Sequence, residues 1–270
     1  KYIAVRKVEV RKMLRLVKTE LWKLKRYSVI WIGIAAMLSV VLLTRFMGIA
    51  SDGAVHTFET FSNNVIWNNL TLIYPATITL IAGYIMERER TDDTMKNLLT
   101  LPISFRRLLT GKLLAACLIA ILLAIIECVF ALIVVFISGY PGIGIGAIQH
   151  SLLQMVGINI CVYIAVLPII VFTSQRAGSF MAGVAFAFFY GFVGMFASGH
   201  GLTSLYPISA GLGLINYQGD GTMGGYNPVI SLSVVLLMVI ISMLMLVFSC
   251  NKVKAQKNMT YYKKAENGRK

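Results

Sequence analysis

Six apolar runs in the sequence are each long enough to cross a lipid bilayer as a helix. They lie near 28–46, 66–86, 113–138, 152–173, 177–197 and 228–249. Because an α-helix rises about 1.5 Å per residue, roughly 20 apolar residues cover a hydrocarbon core about 30 Å thick. The runs are too long and too continuously apolar for the strands of a membrane barrel. The sequence therefore predicts an all-α, polytopic membrane protein with six transmembrane helices.

The composition supports a lipid environment. Of the 270 residues, 57% are hydrophobic and 13% are charged, which is more apolar surface than one soluble core can bury. The net charge of +14 would indicate nucleic acid only if the basic residues shared one solvated face. Instead they occur in blocks between the apolar runs, so we expect membrane lipid, and no nucleic acid, as a partner.

The basic residues predict the orientation of the chain. With the amino terminus inside, 24 of the 25 Lys and Arg fall in inner segments and only Arg45 lies elsewhere. The inner segments are 1–27, 87–112, 174–176 and 251–270. The outer loops contain no Lys or Arg, and they lie near 47–65, 139–151 and 198–227. By the positive-inside rule, both termini face the cytoplasm, and we expect the protein in the cytoplasmic membrane of a bacterial cell.

Three regions follow from this topology. In residues 1–27, apolar side chains recur at helical spacing among basic ones, which predicts a cytoplasmic helix lying in the membrane interface. Residues 28–249 form the transmembrane domain, and 250–270 form a basic cytoplasmic tail. A cleaved signal peptide is the competing interpretation of the first run, although its basic leader is long for one. Since the sequence opens with Lys1, Met13 is an alternative start.

The inner segment 87–112 carries the most informative pattern. A charged cluster at its start leads into a short predicted helix from Thr94 to Leu101, which Pro102 ends. The apolar side of that helix consists of Met95, Leu98, Leu99 and Leu101. A solvated connector does not need such a side, so the helix either docks into a groove on a cytoplasmic partner or rests on the lipid headgroups. The residues alone leave both interpretations open.

The same segment resembles the permease subunits of ABC-2 type ABC transporters. Those subunits join their second and third spans by an ERE sequence followed by G-or-T-x-x-x-L-L-x-x-P-[IV]-S-x-x-x-L-L-x-G-K. The matching residues here are Thr94, Leu98, Leu99, Pro102, Ile103, Ser104, Leu108, Leu109, Gly111 and Lys112, while Asp93 stands where glycine is usual. The resemblance implies an ABC-2, type V exporter-like architecture with a coupling helix that docks on a separate ATPase subunit. It assigns that docking to Glu87, Arg88, Glu89, Thr94, Met95, Leu98, Leu99 and Leu101.

The sequence predicts no ATP site in this chain, because it has no G-x-x-x-x-G-K-[ST] motif. Gly111-Lys112 lacks both the preceding glycine and the following hydroxyl residue. CxxC and HExxH are also missing from the sequence, so we expect neither a catalytic centre nor a metal or cofactor in this chain. The resemblance implies that ATP and Mg bind to a cytoplasmic dimer of ATPase subunits. It also implies a second permease subunit, identical or different.

Two of the apolar runs contain a feature of their own, an acidic residue in the third run and a stripe of small residues in the fifth. Glu127 lies near the middle of the third run, where an ionised carboxylate costs several kcal/mol. Such a residue either fixes helix packing through hydrogen bonds or takes part in substrate passage or gating, and the sequence names no partner for it. In the fifth run, Gly183, Ala187 and Gly191 recur every four residues. This stripe favours close packing inside the protein over dimerisation.

The outer loop 198–227 is too apolar for a free linker and too rich in glycine for a further span. Its first half predicts a short helix or a re-entrant hairpin. A bilayer tolerates such a segment only where protein or water covers its backbone. ABC-2 permeases that this chain resembles place short helices at this point, between the last two spans.

The leading hypothesis is the permease subunit of an ATP-driven transporter. The short chain, the Glu-Leu-Trp-Lys-Leu-Lys-Arg stretch at 20–26 and the weakly charged outer loops look most like lantibiotic or bacteriocin immunity permeases. We therefore expect export or expulsion of an amphipathic, membrane-active antimicrobial peptide. The alternative is a non-transport membrane immunity or signalling protein that binds a ligand through its outer loop. A secondary transporter is less favoured, because such chains are usually longer and carry several intramembrane charges.

Overall fold

The computed structural model describes residues 2–24, 27–50, 57–91, 105–175, 178–200, 202–217 and 226–267. All regular elements in these ranges are helical, which confirms the all-α prediction. In chain order they are α1 (Tyr2–Leu24), α2 (Val29–Ala50), α3 (Phe58–Asn68), a π-helical turn (Asn69–Ile73), α4 (Tyr74–Thr91), α5 (Phe105–Ser138), α6 (Ile145–Thr173), α7 (Phe180–Gly199), α8 (Pro207–Leu214) and α9 (Pro228–Asn267).

Six segments are long and apolar enough to cross a membrane, as predicted. We number them spans 1 to 6, and they are Val29–Ile49, Phe58–Arg88, Arg107–Ser138, Ile145–Thr173, Phe180–Ser198 and Pro228–Phe248. The helices of spans 2 and 4 begin at Phe58 and Ile145, ahead of the apolar runs that start near 66 and 152. A capping box explains the first difference, because the side chains of Thr57 and Thr60 each accept a hydrogen bond from the other's backbone N–H.

Span 2 forms the centre of the bundle. Within its apolar stretch 72% of the residues are buried, compared with 22% in spans 5 and 6. Its inner half, α4, packs mainly on α7 and also touches α2, α5 and α6. Tyr74, Ile78 and Ile81 of α4 are fully buried. The outward sides of spans 3, 5 and 6 carry exposed leucines and phenylalanines, as expected for helices whose solvent is lipid.

The small residues of α7 face the interior. A Cβ added at Gly191 would lie 2.9 Å from both Pro75 Cγ and the carbonyl oxygen of Thr71. A Cβ at Gly183 would lie 2.7 Å from Thr173 Cγ2. Ala187, between the two glycines, is fully buried. The prediction that this stripe serves internal packing is therefore confirmed.

The outer segment between spans 5 and 6 contains the predicted short helix, α8. Its middle residues are buried, and a Cβ at Gly211 would come within 2.6 Å of Cys161 Cβ on α6. Ser209 Oγ donates a hydrogen bond to the carbonyl oxygen of Thr203 at 2.9 Å. Protein atoms therefore cover this helix. A bilayer tolerates a short, interrupted segment of this kind where protein covers its backbone. Residues 218–225 lie outside the described ranges.

Helix α1 precedes the first span, and α9 extends past the last one. In α1, Leu14 and Trp22 are exposed, whereas Val17 and Leu24 are buried against the bundle. The position of α1 in the membrane interface remains a prediction. At the other end, the backbone of α9 remains helical from span 6 to Asn267, where the sequence alone predicts only a basic tail.

Candidate functional site

The inner end of span 3 is joined to α1 by the Gly-Lys pair that ends the inner segment. A Cβ added at Gly111 would lie 2.5 Å from Leu16 Cδ2, so a larger residue here would force the Leu16 side chain of α1 to move. The ammonium of Lys112 donates to Glu20 Oε2 at 3.1 Å and to the carbonyl oxygen of Ile85 at 3.0 Å. One side chain thereby connects α5, α1 and α4.

This contact is a deeply buried ion pair. Lys112 is 4% exposed and Glu20 is 2% exposed. Lys23 provides a second cation, because its ammonium lies 3.0 Å from Glu20 Oε1. Losing one partner of a buried pair leaves an uncompensated charge, which typically costs about 3–5 kcal/mol. We call Lys112, Glu20 and Gly111 the inner anchor.

The sequence analysis missed Glu20, although a signal for it exists. Val17, Glu20 and Leu24 stand at helical spacing on one side of α1, and all are buried. An acidic residue on the apolar side of a basic helix predicts a buried cationic partner. Which lysine serves as that partner depends on how α1 packs, and the sequence does not show that packing.

Two predicted docking residues, Glu87 and Arg88, connect the inner end of span 2 to other elements. Glu87 Oε1 accepts a hydrogen bond at 2.7 Å from the backbone N–H of Gly178, in the inner loop between spans 4 and 5. Gly178 has φ +74°, a conformation that favours glycine. Arg88 donates to Tyr84 Oη at 2.7 Å, and its guanidinium lies 3.9 Å from the ring centroid of Tyr27. The end of span 2 is thus tied to the start of span 1 and to the next inner loop.

The remaining predicted docking residues cannot be placed by these contacts. The side chain of Glu89 lies outside the described part of the chain, as do Thr94, Met95, Leu98, Leu99 and Leu101. The coupling-helix assignment for these residues remains a prediction. What the described residues show is that both ends of the inner segment 87–112 are attached to further elements of the bundle.

A second polar cluster lies inside the membrane domain, around Glu127. Glu127 is fully buried, and Asn69 and Asn159 are each 1% exposed. Asn69 Nδ2 donates to Glu127 Oε2 at 2.8 Å and to Asn159 Oδ1 at 3.1 Å. Asn159 Nδ2 approaches the same carboxyl oxygen at 3.5 Å. Hydrogen bonds therefore connect spans 2, 3 and 4 at one depth.

Three buried oxygen atoms of this region are left without hydrogen-bond partners among the described residues. They are Glu127 Oε1, Asn69 Oδ1 and Tyr74 Oη. Unpaired buried polar atoms are costly and rare, so they mark a place where a proton, water or other donor fits. Because Glu127 is fully enclosed in this conformation, the arrangement favours helix packing over direct substrate contact for its carboxyl group.

The π-helical turn Asn69–Ile73 helps to place Asn69 in this cluster. The backbone N–H of Tyr74 donates to the carbonyl oxygen of Asn69, which is the five-residue spacing of a π-turn. Pro75 follows directly and has no N–H to donate. Gly191 of α7 lies against the carbonyl oxygen of Thr71 in this widened turn. Such turns occur often at functional sites.

Comparison with known proteins identifies the family. The family described as "ABC-2 family transporter protein" matches residues 16–194, which is more than half of the chain and runs from α1 into span 5. No curated protein matches the chain. In this family the membrane permease is a separate subunit from the ATPase, and membership implies an ABC ATPase as partner. The chain therefore belongs to the ABC-2 transporter family and is a multi-pass membrane permease subunit of an ABC transporter.

Proposed function

We propose that this permease expels a membrane-active antimicrobial peptide, and that a cytoplasmic dimer of ATPase subunits drives it through the inner segment 87–112. The observation that carries the mechanism is that both ends of this segment are attached to other elements. Glu87 holds the loop between spans 4 and 5, and Lys112 holds α1 through Glu20. A displacement of the segment would thereby reach several spans at once.

The proposed cycle begins on the ATPase subunits, which would bind ATP and Mg. Their closure would shift the coupling helix, whose predicted docking residues are Glu87, Arg88, Glu89, Thr94, Met95, Leu98, Leu99 and Leu101. Span 2 begins the response, because its inner end enters this segment and its apolar stretch is 72% buried at the centre of the bundle. Close packing of α4 on α7 would carry the movement to span 5.

The proposed substrate is an amphipathic peptide taken from the bilayer or its outer leaflet. The inner segments between spans are short, so they offer no domain that would collect a soluble cargo. Spans 5 and 6 expose wide apolar surfaces, with only 22% of their apolar stretches buried. These surfaces suit contact with lipid, with a peptide dissolved in lipid, or with the second permease subunit that we propose.

The alternative function, ligand binding by a non-transport immunity or signalling protein, has less support. It assigns ligand binding to the outer loop 198–227. The first half of that loop is the packed helix α8, whose middle residues are buried. Membership of a transporter family also favours the permease.

Charged substitutions in the coupling helix test the proposal. We expect Leu98→Glu/Leu99→Glu to insert into the membrane normally but to lose the ATPase subunit during purification in mild detergent. The matched control is Leu98→Met/Leu99→Met, which keeps the apolar side and should retain the ATPase. If the charged variant keeps both the ATPase and peptide-stimulated ATP hydrolysis, docking through these leucines is wrong.

A further inference from the structure

A cavity of about 210 Å³ opens between the outer ends of α3 and α6. Glu59 and Ser62 line it from α3, and His150, Ser151 and Gln154 line it from α6. Glu59 and His150 are exposed at its rim, whereas the two serines and Gln154 are buried beneath them. We call this cavity, defined by these five residues, the outer pocket. The inner contacts described above do not involve it.

The lengths of spans 2 and 4 indicate that the outer pocket lies near the depth of the lipid headgroups. About 20 residues of helix cross the hydrocarbon core, whereas spans 2 and 4 have 31 and 29 residues. About 20 residues counted from the inner ends of these spans, at Arg88 and Thr173, cover the core. The outer parts of both helices, which begin at Phe58 and Ile145, then extend beyond the core. Glu59, Ser62, His150 and Ser151 lie in these extensions and Gln154 lies at their edge, so we expect the pocket to open where an amphipathic peptide lies on a membrane surface.

The lining of the outer pocket is rich in hydrogen-bond acceptors. Ser62 and Ser151 share a hydrogen bond, and both retain acceptor capacity. Gln154 Nε2 donates to the carbonyl oxygen of Ile215 at 3.2 Å, which leaves its Oε1 as an acceptor. Glu59 adds a carboxylate, and His150 adds an imidazole ring. Within the described ranges, no hydrogen bond or ion pair occupies the side chain of Glu59.

The charge around the pocket also favours a cation. The outer loops contain no Lys or Arg. Arg45, at the outer end of span 1, donates a hydrogen bond to Tyr140 Oη and lies 5.0 Å from the centroid of that ring. The outer loop sequences therefore provide no Lys or Arg that could pair with the carboxylate of Glu59. A primary ammonium offers three donors and one positive charge, which matches these acceptors.

We propose that the outer pocket binds a primary ammonium group of a cationic amphipathic peptide lying in the outer leaflet. The proposal rests on the function proposed above, because it assigns the site where the permease first holds that peptide. A volume of about 210 Å³ admits a lysine side chain or an amino terminus but not a folded peptide. The rest of the peptide would remain on the apolar membrane surface.

The test is a binding measurement on the complete permease–ATPase complex in phosphatidylcholine nanodiscs without nucleotide. The probe is a fluorescent amphipathic peptide containing lysine, and its control is the same peptide with all amines acetylated. We expect Glu59→Gln to weaken binding about fivefold, as for a partly exposed ion pair. Glu59→Asp, which keeps the charge, should retain most of the affinity. Ala147→Phe, which fills the cavity without changing charge, should also weaken binding.

Two results would overturn the assignment. One is equal affinity of wild type and Glu59→Gln for the amine-bearing peptide. The other is undiminished binding of the acetylated peptide. A further arm replaces part of the phosphatidylcholine with phosphatidylethanolamine, whose headgroup is also a primary ammonium. Suppose that Glu59→Gln weakens binding of this lipid but leaves the affinity for the peptide unchanged. The ligand of the pocket is then the lipid, and the peptide proposal is wrong.

A transport measurement distinguishes failure of the pocket assignment from failure of the proposed peptide expulsion. If the wild-type complex expels peptide while pocket variants bind it normally, only the pocket assignment fails. If the wild-type complex hydrolyses ATP and never moves the peptide, the proposed function fails whatever the pocket binds.

Discussion

Lys112 is the residue at which three elements meet. Its ammonium contacts Glu20 of α1 and the carbonyl oxygen of Ile85 in α4, while its backbone belongs to α5. A family motif that ends in Gly-Lys is thus explained in this chain by geometry. Gly111 leaves room for Leu16 of α1, and Lys112 neutralises Glu20, a buried acidic residue of that helix.

The inner anchor predicts a marked loss of stability when Lys112 is replaced. Lys112→Met leaves Glu20 buried with Lys23 as its remaining ion-pair partner among the described residues, so we expect destabilisation of about 3 kcal/mol. The double variant Lys112→Met/Glu20→Leu removes both charges and should recover most of that loss. Thermal unfolding in detergent measures both.

Lys23→Met serves as the control for this prediction. Lys23 is 38% exposed, so its loss should cost at most about 1 kcal/mol. Equal destabilisation by Lys112→Met and Lys23→Met would contradict the anchor, because solvent would then be screening both pairs alike.

Substitutions of Glu127 distinguish a role in helix packing from a role that requires its ionisable carboxyl group. Glu127→Gln keeps an acceptor for Asn69 and should preserve both stability and peptide expulsion. Glu127→Leu leaves Asn69 and Asn159 without that acceptor and should destabilise the protein by about 1–3 kcal/mol for each group left unpaired. A Glu127→Gln protein that is stable but inactive in transport would show that the ionisable group itself is needed.

At the scale of elements, hydropathy identified the spans but not their ends. A window of apolar residues detects only the part of a helix that contacts lipid, whereas α3 begins in polar sequence at Phe58. The capping pair of Thr57 and Thr60 was a local signal for that start. The partners of Glu127 could not be found in this way, because Asn69 and Asn159 reach it only through the packing of three spans.

The close packing of α7 on span 2 predicts a strict size limit at Gly191. Gly191→Ala would place a methyl group 2.9 Å from the backbone oxygen of Thr71 and from Pro75 Cγ. We expect destabilisation of about 1–3 kcal/mol, since the backbone cannot move aside as a flexible side chain does. Thermal unfolding in detergent provides the readout.

Gly146→Ala is the matched control, because nothing lies within 4 Å of a Cβ at that position. An added methyl in a helix with open space should be neutral or slightly stabilising. If Gly191→Ala is as stable as Gly146→Ala, span 5 does not pack against the π-turn in the manner described.

At the scale of the whole molecule, the permease is a bundle that is tightly held at its centre and open to lipid at its sides. Span 2 is largely enclosed, while spans 5 and 6 lie mostly on the surface of the bundle. The inner anchor and the Glu87–Gly178 contact attach the inner segment to this bundle. The sequence predicted the six spans and a docking helix, but it did not predict these attachments, which depend on tertiary packing.

The most direct test of the proposed function is ATP-dependent peptide removal from proteoliposomes that contain the permease and its ATPase. The substrate is a fluorescent, lysine-bearing amphipathic peptide bound to the bilayer. We predict that ATP lowers the membrane-bound peptide in wild type but not in Leu98→Glu/Leu99→Glu. Steady ATP hydrolysis by the wild-type complex with no change in bound peptide would contradict peptide expulsion.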